Sequence, residues 1–409
     1  VHAADDTITP LDVARMKSVA DQAISPDGKS IAYTVRVQRD PLKGDNGSAY
    51  TELHVVDSNT GKSRPFITGK VSISSIAWTP DGTGISFLAK RGDDKNTSIY
   101  LIPVDGGEAR KLMEHSSSIS SYDWKSDGKQ IAFLAKEKDD PAEKKLRDKG
   151  FNAEGYEENL KSTRIWIADA KFGSAEEARM LDVAGSASEL HWSPDGKSFA
   201  VALAPTPLID HYYMYRRIHV LNAETGAVIQ KFKNPGKIGH VAWSPDGSKV
   251  AFLSGEDIND PSEGRLWIAT VGADGFVDAT IDYLPNIIDF HWVKDSEIWF
   301  LAHNGCLSEF GSVDLDGETA KLRIDTKPVD AIFESFSIDN SAEQVAQIGH
   351  SPSHLPEVFT QMAGQKAAKR LTDLNPWLKD KRLAKQEIVT YTARDGQTVE
   401  GVLVRPLDE

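Results

Sequence analysis

The sequence predicts an all-β fold, a seven-bladed β-propeller of four-stranded antiparallel blades. Three observations predict it: a turn sequence recurs along the chain, apolar runs flank each copy of that turn, and a tryptophan precedes most copies. Each copy is too small to bury a core alone. Copies packed side by side in a radial array would bury one between them.

The recurring turn is typified by Ser244-Pro245-Asp246-Gly247. Proline fixes φ and glycine tolerates positive φ, so this sequence favours a tight turn between two strands. The aspartates of the seven copies, of which the last two are degenerate, lie at positions 27, 81, 127, 195, 246, 295 and 339. Subtracting successive positions gives spacings of 54, 46, 68, 51, 49 and 44. A nearly constant period with one long interval indicates a repeat array with a single large insertion.

Each copy contains one strand before the turn and three after it. In the first copy the three later strands are predicted at 31–35, 52–57 and 63–67. The third strands of the later copies are predicted at 99–104, 164–169, 217–221, 265–269, 307–313 and 357–361. A β-sandwich, the alternative arrangement, would need turns about every 8–12 residues, so the longer spacing favours a propeller.

Aromatic residues mark the strand before the turn. The tryptophans at this point of the module are Trp78, Trp124, Trp192, Trp243 and Trp292. Such a row could form a surface on which a ligand stacks, but it is more typical of large side chains that pack between neighbouring blades. His191 and His291 directly precede two of these tryptophans, and side chains alternate along a strand. We expect both histidines to serve packing or edge hydrogen bonding.

The long interval holds an insertion at 136–162, between the second and third strands of the third copy. In an antiparallel four-stranded blade, this connection emerges on the same face as the connection to the next blade. We therefore expect the insertion on the face from which the chain leaves the last blade, after residue 374. The aromatic stretch 210–217 is the same type of connection in the fourth copy. Long, chemically varied loops predict that this face carries the function.

Composition excludes several classes of partner. The chain of 409 residues has 47 Lys and Arg against 61 Asp and Glu, a net charge of −14, which argues against nucleic acid and against an anionic membrane surface. No apolar run approaches about 18 residues, so no membrane-spanning helix is predicted. The single cysteine, Cys306, excludes an internal disulfide and a cysteine-based metal cluster. The composition leaves open whether the chain forms a homo-oligomer.

The first residues of the sequence bear on the cellular compartment of the protein. Val1-His2-Ala3-Ala4 resembles the end of a secretory cleavage site, which predicts a periplasmic or secreted protein. The alternative is an arbitrary start of the sequence, with a cytoplasmic location.

Motifs for catalysis and cofactor binding are absent from the sequence. It has no G-x-S-x-G nucleophile elbow, no H-E-x-x-H, no phosphate-binding loop, no dinucleotide fingerprint and no EF-hand loop. We therefore predict no catalytic residue, no metal site and no cofactor.

The one candidate binding site is the acid pair Glu157-Glu158, for which two interpretations stand. The first is a solvated helix face, as for most charge runs. The second is a carboxylate pair directed at a cation such as a peptide amino terminus, where each charge-assisted hydrogen bond contributes about 1.5–3 kcal/mol.

The end of the chain departs from the repeat. A strand at 387–391, a turn at Asp395-Gly396 and a strand at 399–406 form a hairpin that belongs to no blade. It resembles the first strands of a second domain. The sequence therefore divides into an extension at 1–20, a propeller at 21–376 and a linker with the first hairpin of a further domain at 377–409.

These motifs together resemble the propeller half of serine peptidases of the prolyl oligopeptidase family. The acylaminoacyl-peptidase-like and dipeptidyl-peptidase-like branch fits best. Tol-system propellers carry similar turns, so the more specific features are SPSHLPEVF at 351–359, LTDLNP at 371–376 and EGVLVRP at 400–406. In that family their order marks the last blade, the exit from it and the beginning of an α/β-hydrolase domain.

The resemblance implies a function. The hydrolase domain would supply a Ser-Asp-His triad and an oxyanion hole, none of which lies in this chain, so the chain alone is expected to be inert toward peptides. The propeller would gate access of short peptides to an exopeptidase or oligopeptidase site. Tyr156-Glu157-Glu158 is similar to the Glu motif with which dipeptidyl peptidases hold a substrate amino terminus, but here it lies between a second and a third strand and Asn159 follows it. A stand-alone Tol-type binding or scaffold propeller without enzymatic activity is the alternative.

Overall fold

The structure, a computed structural model, describes residues 6–138, 140–153, 155–172, 178–259, 264–316, 319–326, 331–365 and 367–407. These residues form seven four-stranded antiparallel sheets and one two-stranded sheet. The fold is a seven-bladed β-propeller, as predicted. The cleavage-like start of the sequence, at 1–4, lies outside the described residues.

Each blade is a set of four consecutive strands. Blade 1 comprises β1 (Lys17–Ile24), β2 (Ser30–Val37), β3 (Tyr50–Asp57) and β4 (Ser63–Ile67). Blade 2 comprises β5 (Ile73–Trp78), β6 (Gly84–Ala89), β7 (Ser98–Pro103) and β8 (Arg110–Met113). Blade 3 comprises β9 (Ile119–Trp124), β10 (Gln130–Lys136), β11 (Thr163–Asp169) and β12 (Arg179–Met180). Blade 4 comprises β13 (Ser186–Trp192), β14 (Ser198–Ala204), β15 (Arg217–Asn222) and β16 (Val228–Lys231).

The remaining blades follow the same order. Blade 5 comprises β17 (Ile238–Trp243), β18 (Lys249–Ser254), β19 (Arg265–Thr270) and β20 (Val277–Asp278). Blade 6 comprises β21 (Asn286–Lys294), β22 (Glu297–Asn304), β23 (Leu307–Asp316) and β24 (Thr319–Thr326). Blade 7 comprises β25 (Ile332–Ile338), β26 (Gln344–Ser351), β27 (His354–Met362) and β28 (Lys369–Arg370). The hairpin after the last blade is β29 (Gln386–Thr392) with β30 (Thr398–Val404).

Among the residues that the structure describes, three short α-helices lie outside the blades. They are α1 (Pro10–Arg15), α2 (Pro141–Arg147) and α3 (Ile209–Met214), and a 3₁₀ helix spans Pro376–Asp380. Because β1 begins at Lys17, the first blade starts within the stretch predicted as an N-terminal extension. No helix among the described residues is long and apolar enough to cross a membrane.

The chain divides into two compact units. One holds the residues up to Trp78 together with those from Asp282 onward, and the other holds Thr79–Ile281. Each unit has its own apolar core between adjacent blades. In the second unit, Trp192 packs with Phe199 of its own blade and with Ile165 of blade 3 in one buried cluster.

The recurring turn has the geometry that its residues predict. In the turn of blade 5, the Ser244 hydroxyl donates to Asp246 Oδ1 at 2.7 Å, and the same carboxylate accepts the Ser248 backbone N–H at 2.9 Å. Gly247 has a φ of 71°, a region that residues with a Cβ avoid. The side chain of the aspartate thus ties the two ends of the turn together, which sets the register of the hairpin.

Three of the tryptophans before the turn donate their indole N–H to the preceding blade. Trp78 donates to the Ala23 carbonyl at 2.9 Å, Trp124 to Ser86 Oγ at 2.9 Å and Trp243 to the His191 carbonyl at 3.2 Å. Packing between neighbouring blades is therefore confirmed for these side chains.

The first and last blades, both in the first unit, contact each other without sharing a strand. A buried apolar cluster joins β1 to β26 and β27. Polar contacts reinforce it: the Ile24 N–H donates to Ser337 Oγ at 3.0 Å, and Asn375 bonds both the N–H and the carbonyl of Lys17, at 2.9 and 2.6 Å. Side chains rather than a shared strand hold this junction.

Candidate functional site

The predicted insertion is the connection between β10 and β11, with α2 at its centre. Asp140 caps the helix, since its Oδ1 accepts the Ala142 N–H at 2.7 Å. No residue of α2, all of which the structure describes, is buried. Farther along the connection, Phe151 and Tyr156 are 72% and 85% exposed. The connection therefore presents its charged and aromatic side chains instead of packing them.

The acid pair Glu157-Glu158 lies in a turn of this connection. The Glu158 N–H donates to the Gly155 carbonyl at 3.2 Å, and both glutamates are exposed. The pair follows α2 and does not lie on it, so the structure does not have the helix face of the first interpretation. Glu157 and Asn159 have φ values of 58° and 55°. This left-handed backbone costs a residue with a Cβ about 1 kcal/mol or more, and such residues cluster at binding and catalytic sites.

The equivalent connection of blade 4 runs from β14 to β15 and contains α3. It carries three exposed tyrosines, Tyr212, Tyr213 and Tyr215. The guanidinium of Arg216 lies 4.3 Å from the centre of the Tyr212 ring and donates to a backbone carbonyl of β17 at 2.8 Å. Because Arg216 is buried, it fixes one end of the tyrosine cluster to blade 5.

Both connections link the second strand of a blade to the third. Blades 3 and 4 are neighbours in the second unit, so the two connections leave their sheets at the same end of that unit. Carboxylates and tyrosines therefore gather at one end. The expectation that this face is shared with the exit after residue 374 stays a prediction.

A second group of ionisable side chains lies on the first strands of blades 4 and 5. Glu189 Oε1 is 2.9 Å from His191 Nε2 and 3.3 Å from His240 Nδ1. The same oxygen accepts the Val241 backbone N–H at 2.9 Å. On β9 of the neighbouring blade 3, Asp123 Oδ2 accepts the backbone N–H of Trp192 at 2.7 Å. One carboxylate oxygen thus joins two imidazoles from adjacent blades.

Burial and charge pull the pKa values of this group in opposite directions. Burial favours a raised pKa for Glu189, but the hydrogen bonds and charges of His191 and His240 outweigh it, so the pKa lies well below its usual range. Burial likewise opposes the charged form of His191, but the hydrogen bond and charge of Glu189 and the charge of Asp123 raise its pKa. Burial raises the pKa of Asp123. The balance favours the ionised form of Glu189 and the protonated form of His191.

The two histidines that precede a tryptophan differ in their contacts. His291 Nε2 bonds the Phe336 carbonyl at 2.8 Å, which confirms the edge hydrogen bond predicted for it. His191 instead bonds the side chain of Glu189. Sequence reasoning missed this group, although the pattern Glu189-x-His191-Trp192 places both side chains on one face of β13. The position of His240 on β17, three residues before Trp243, was the further signal.

The hairpin β29–β30 is a separate two-stranded sheet, as predicted. Apolar side chains stay exposed on both strands; they include Ile388, Val389, Tyr391, Val402, Leu403 and Val404. Glu400 of the hairpin accepts the Cys306 N–H of blade 6 at 3.1 Å. A cavity of about 360 Å³ lies beside it, lined by Cys306, His350 and Ser351 of the blades and by Ile388 and Val402 of the hairpin. Two-stranded sheets with exposed apolar faces are marginal alone, so this hairpin has the features of an incomplete sheet.

The exit from the last blade is tied down by a buried acid. Glu357 is 1% exposed and accepts the Thr372 hydroxyl at 2.5 Å and the Leu374 N–H at 2.8 Å. Burial raises the pKa of Glu357 despite these hydrogen bonds. Three residues of the motifs that carry the family resemblance, Glu357, Thr372 and Leu374, therefore serve to fix the path of the chain toward the hairpin.

Comparisons with known proteins find similarity in structure. No protein-family model and no curated protein matches the sequence. The acylaminoacyl peptidase of Pyrococcus horikoshii superposes with a TM-score of 0.70 at 15% identity, over 96% of this chain and 59% of that enzyme. The β-propeller domain of the Trilobed protease from Pyrococcus furiosus, described as having an open velcro topology, superposes with a TM-score of 0.61 at 17% identity, over 88% of this chain and 99% of that domain.

A structure other than those of the peptidases also matches. A chain of a mitotic checkpoint complex superposes with a TM-score of 0.54 at 12% identity, over 91% of this chain and 98% of that chain. The similarity at these identities is one of fold. The chain spans about three fifths of the length of the acylaminoacyl peptidases that it matches.

Proposed function

We propose that this chain is the substrate-gating propeller of a serine exopeptidase or oligopeptidase that cleaves short peptides by acyl transfer. The catalytic α/β-hydrolase domain would be a partner of this propeller, and the 409 residues do not include it. One observation carries the proposal: the hairpin β29–β30 belongs to no blade and exposes apolar side chains on both strands. A further sheet that continues the hairpin would cover them. The peptidase propellers that superpose on nearly the whole chain support the same assignment.

In this mechanism the hydrolase supplies the serine nucleophile, its histidine base and the oxyanion hole. The propeller would cap the active site of the hydrolase, so that short peptides reach it and large folded substrates do not. Glu157 and Glu158 would hold the positively charged amino terminus of the peptide, and the tyrosines of the β14–β15 connection would offer aromatic surface at the same end of the unit. Both glutamates are needed to hold the cation, since a single exposed ion pair contributes only about 0–1 kcal/mol.

The first experiment tests whether a serine hydrolase domain accompanies this chain. A fluorophosphonate probe should label the natural polypeptide that contains this chain, or a protein that copurifies with it, and should leave the 409-residue chain unlabelled. In the complete protein the amides of β29 and β30 should exchange with solvent more slowly than in the 409-residue chain, because a neighbouring strand protects them. If no labelled protein is found and the hairpin is equally unprotected in both, the proposal is wrong.

The second experiment tests the acid pair in the labelled enzyme. Glu157→Gln with Glu158→Gln should reduce kcat/KM for peptides with a free amino terminus by up to about 30-fold, from two exposed ion pairs that each contribute at most about 1 kcal/mol. Turnover of amino-terminally blocked peptides should be spared. The matched control is Glu143→Gln with Asp148→Asn, which removes the same charge from the same connection. Equal losses on free and blocked peptides would defeat the role of the pair and leave the gating role intact.

A stand-alone binding or scaffold propeller remains the second candidate, since the fold also occurs in a mitotic checkpoint complex. Such a propeller has no use for an exposed apolar hairpin. The labelling experiment separates the two functions.

A further inference from the structure

The Glu189, His191 and His240 group is independent of the proposed peptidase function. Glu189 and His191 are two residues apart on β13, so their side chains share one face of the strand. His240 lies on β17 in a β-bulge, because the pairing with β18 shifts between Ile238 and Val241. Bulges re-aim side chains, and this one brings an imidazole from blade 5 to the carboxylate of blade 4.

The donor atoms are spaced as ligands to one ion would be. Bonds of about 2.0–2.1 Å at tetrahedral angles place two ligand atoms about 3.3 Å apart. Glu189 Oε1 lies 3.3 Å from His240 Nδ1 and 2.9 Å from His191 Nε2, and all three donors lie within 4.8 Å of one another. An ion would therefore need only small side-chain shifts to enter between them.

Neighbouring groups complete the environment that a metal site needs. The Val241 N–H holds the Glu189 carboxylate in place, and Asp123 on β9 accepts the backbone N–H of Trp192, the residue after His191, at 2.7 Å. Hydrogen bonds to a ligating carboxylate, such as the one from Val241 to Glu189, orient the groups that bind a metal. Glu189 supplies a carboxylate oxygen and the two histidines supply one ring nitrogen each, so three donor atoms face one point. The cross-strand partners of Glu189 and His191 on β14 are Ala202 and Ala200, whose small side chains leave room.

We propose that Glu189, His191 and His240 form a zinc-binding site that links the first strands of blades 4 and 5. Two imidazoles and one carboxylate are a donor set that Zn²⁺ accepts, with a water molecule as the fourth ligand. Because the ligands come from two blades, the bound ion would stabilise the interface between them.

Blade 6 offers a matched comparison within the same chain. Asp289-x-His291-Trp292 repeats the acid-x-His-Trp pattern of β13, but β25 has Ser335 where β17 has His240. His291 bonds a backbone carbonyl, and Asp289 Oδ2 accepts the Phe336 N–H at 3.0 Å. This second pair lacks the third donor, so His291→Ala is the control for the loss of a histidine that does not bind the ion.

The test is a Zn²⁺ titration of the 409-residue chain, with any affinity tag removed, against a competing chelator. We expect one ion per chain, and an affinity at least about 100-fold lower in His191→Ala, His240→Ala and Glu189→Gln, because each lacks one of three ligands. His291→Ala should bind as the unchanged chain does. Co²⁺ should give the intense visible absorption of a tetrahedral complex, and the same three substitutions should abolish it.

Two results would overturn the proposal: no binding at micromolar Zn²⁺, or binding that survives His240→Ala. Anomalous diffraction at the zinc edge, from crystals of the unchanged chain, covers the case in which a variant fails to fold. A peak among the three side chains supports the site, and a peak elsewhere or none refutes it.

Discussion

Replacing Asn375 tests whether side chains hold the junction between the first and last blades. Asn375 is 4% exposed, and its amide bonds the N–H and the carbonyl of Lys17 at 2.9 and 2.6 Å. Asn375→Ala removes both hydrogen bonds and leaves the cluster between β1 and β27 unchanged.

The magnitude follows from those two bonds. Each contributes about 1 kcal/mol net, and an unpaired buried group would cost about 1–3 kcal/mol more. Lys17 is exposed, so water can replace the amide and the larger penalty does not apply. We expect a loss of about 1–2 kcal/mol in the free energy of opening this junction, which corresponds to about 5- to 30-fold faster opening-limited exchange.

The assay is native-state hydrogen exchange read by mass spectrometry. Amides of β1 should exchange about 5- to 30-fold faster in Asn375→Ala, and amides of Thr79–Ile281 should not change. The control is Asn222→Ala, whose Oδ1 accepts the Glu224 and Thr225 N–H groups at 3.0 and 2.9 Å inside blade 4. It should accelerate exchange in that turn alone. Unchanged exchange in β1, or equal acceleration in both units, would refute the reasoning.

Two further substitutions probe the turns and the packing of the blades. Asp246→Asn should destabilise the chain by about 1 kcal/mol at pH 7, discounted for exposure, because the Ser244 hydroxyl and a backbone N–H lower the pKa of Asp246 to about 2. A carboxylate whose pKa is lowered in the folded state stabilises the fold at pH values above its ordinary pKa, and this stabilisation is lost as the pH falls through about 2. The thermal midpoints of Asp246→Asn and the unchanged chain should therefore converge as the pH is lowered. A difference that stays constant with pH would contradict this cause. Gly311→Ala should cost about 1–3 kcal/mol in urea unfolding, since its Cβ would overlap the Phe300 ring, whereas Gly401→Ala, with no neighbour within 4 Å, should be neutral. Equal effects of the two alanines would count against the packing argument.

Local chemistry explains why so much of the fold could be predicted. The second and third strands of blade 1 were predicted at 31–35 and 52–57, and the structure has them at Ser30–Val37 and Tyr50–Asp57. Proline, aspartate and glycine determine the turn by their own backbone preferences and by one side-chain hydrogen bond, so nothing distant is needed. The hairpin at the end of the chain was predictable for the same reason.

Contacts between blades could not be predicted in this way. His240 meets Glu189 only because two blades pack in a particular register and a bulge re-aims one side chain, and neither is encoded in a short stretch. The bonds from Asn375 to Lys17 span 358 residues of sequence. The tyrosine-rich connection was predicted from its composition. Its helix, Ile209–Met214, was not, because no side chain caps its amino-terminal end and the sequence therefore lacks the usual signal for the start of a helix.

Each blade is one unbroken stretch of chain, the first and the last included. Duplicating or deleting one continuous segment of the gene would therefore add or remove a whole blade, with its turn and its four strands. Proteins whose terminal blade combines strands from both ends of the chain lack this freedom, because a cut at either end breaks a sheet. The architecture is thus suited to growth by tandem duplication of whole blades.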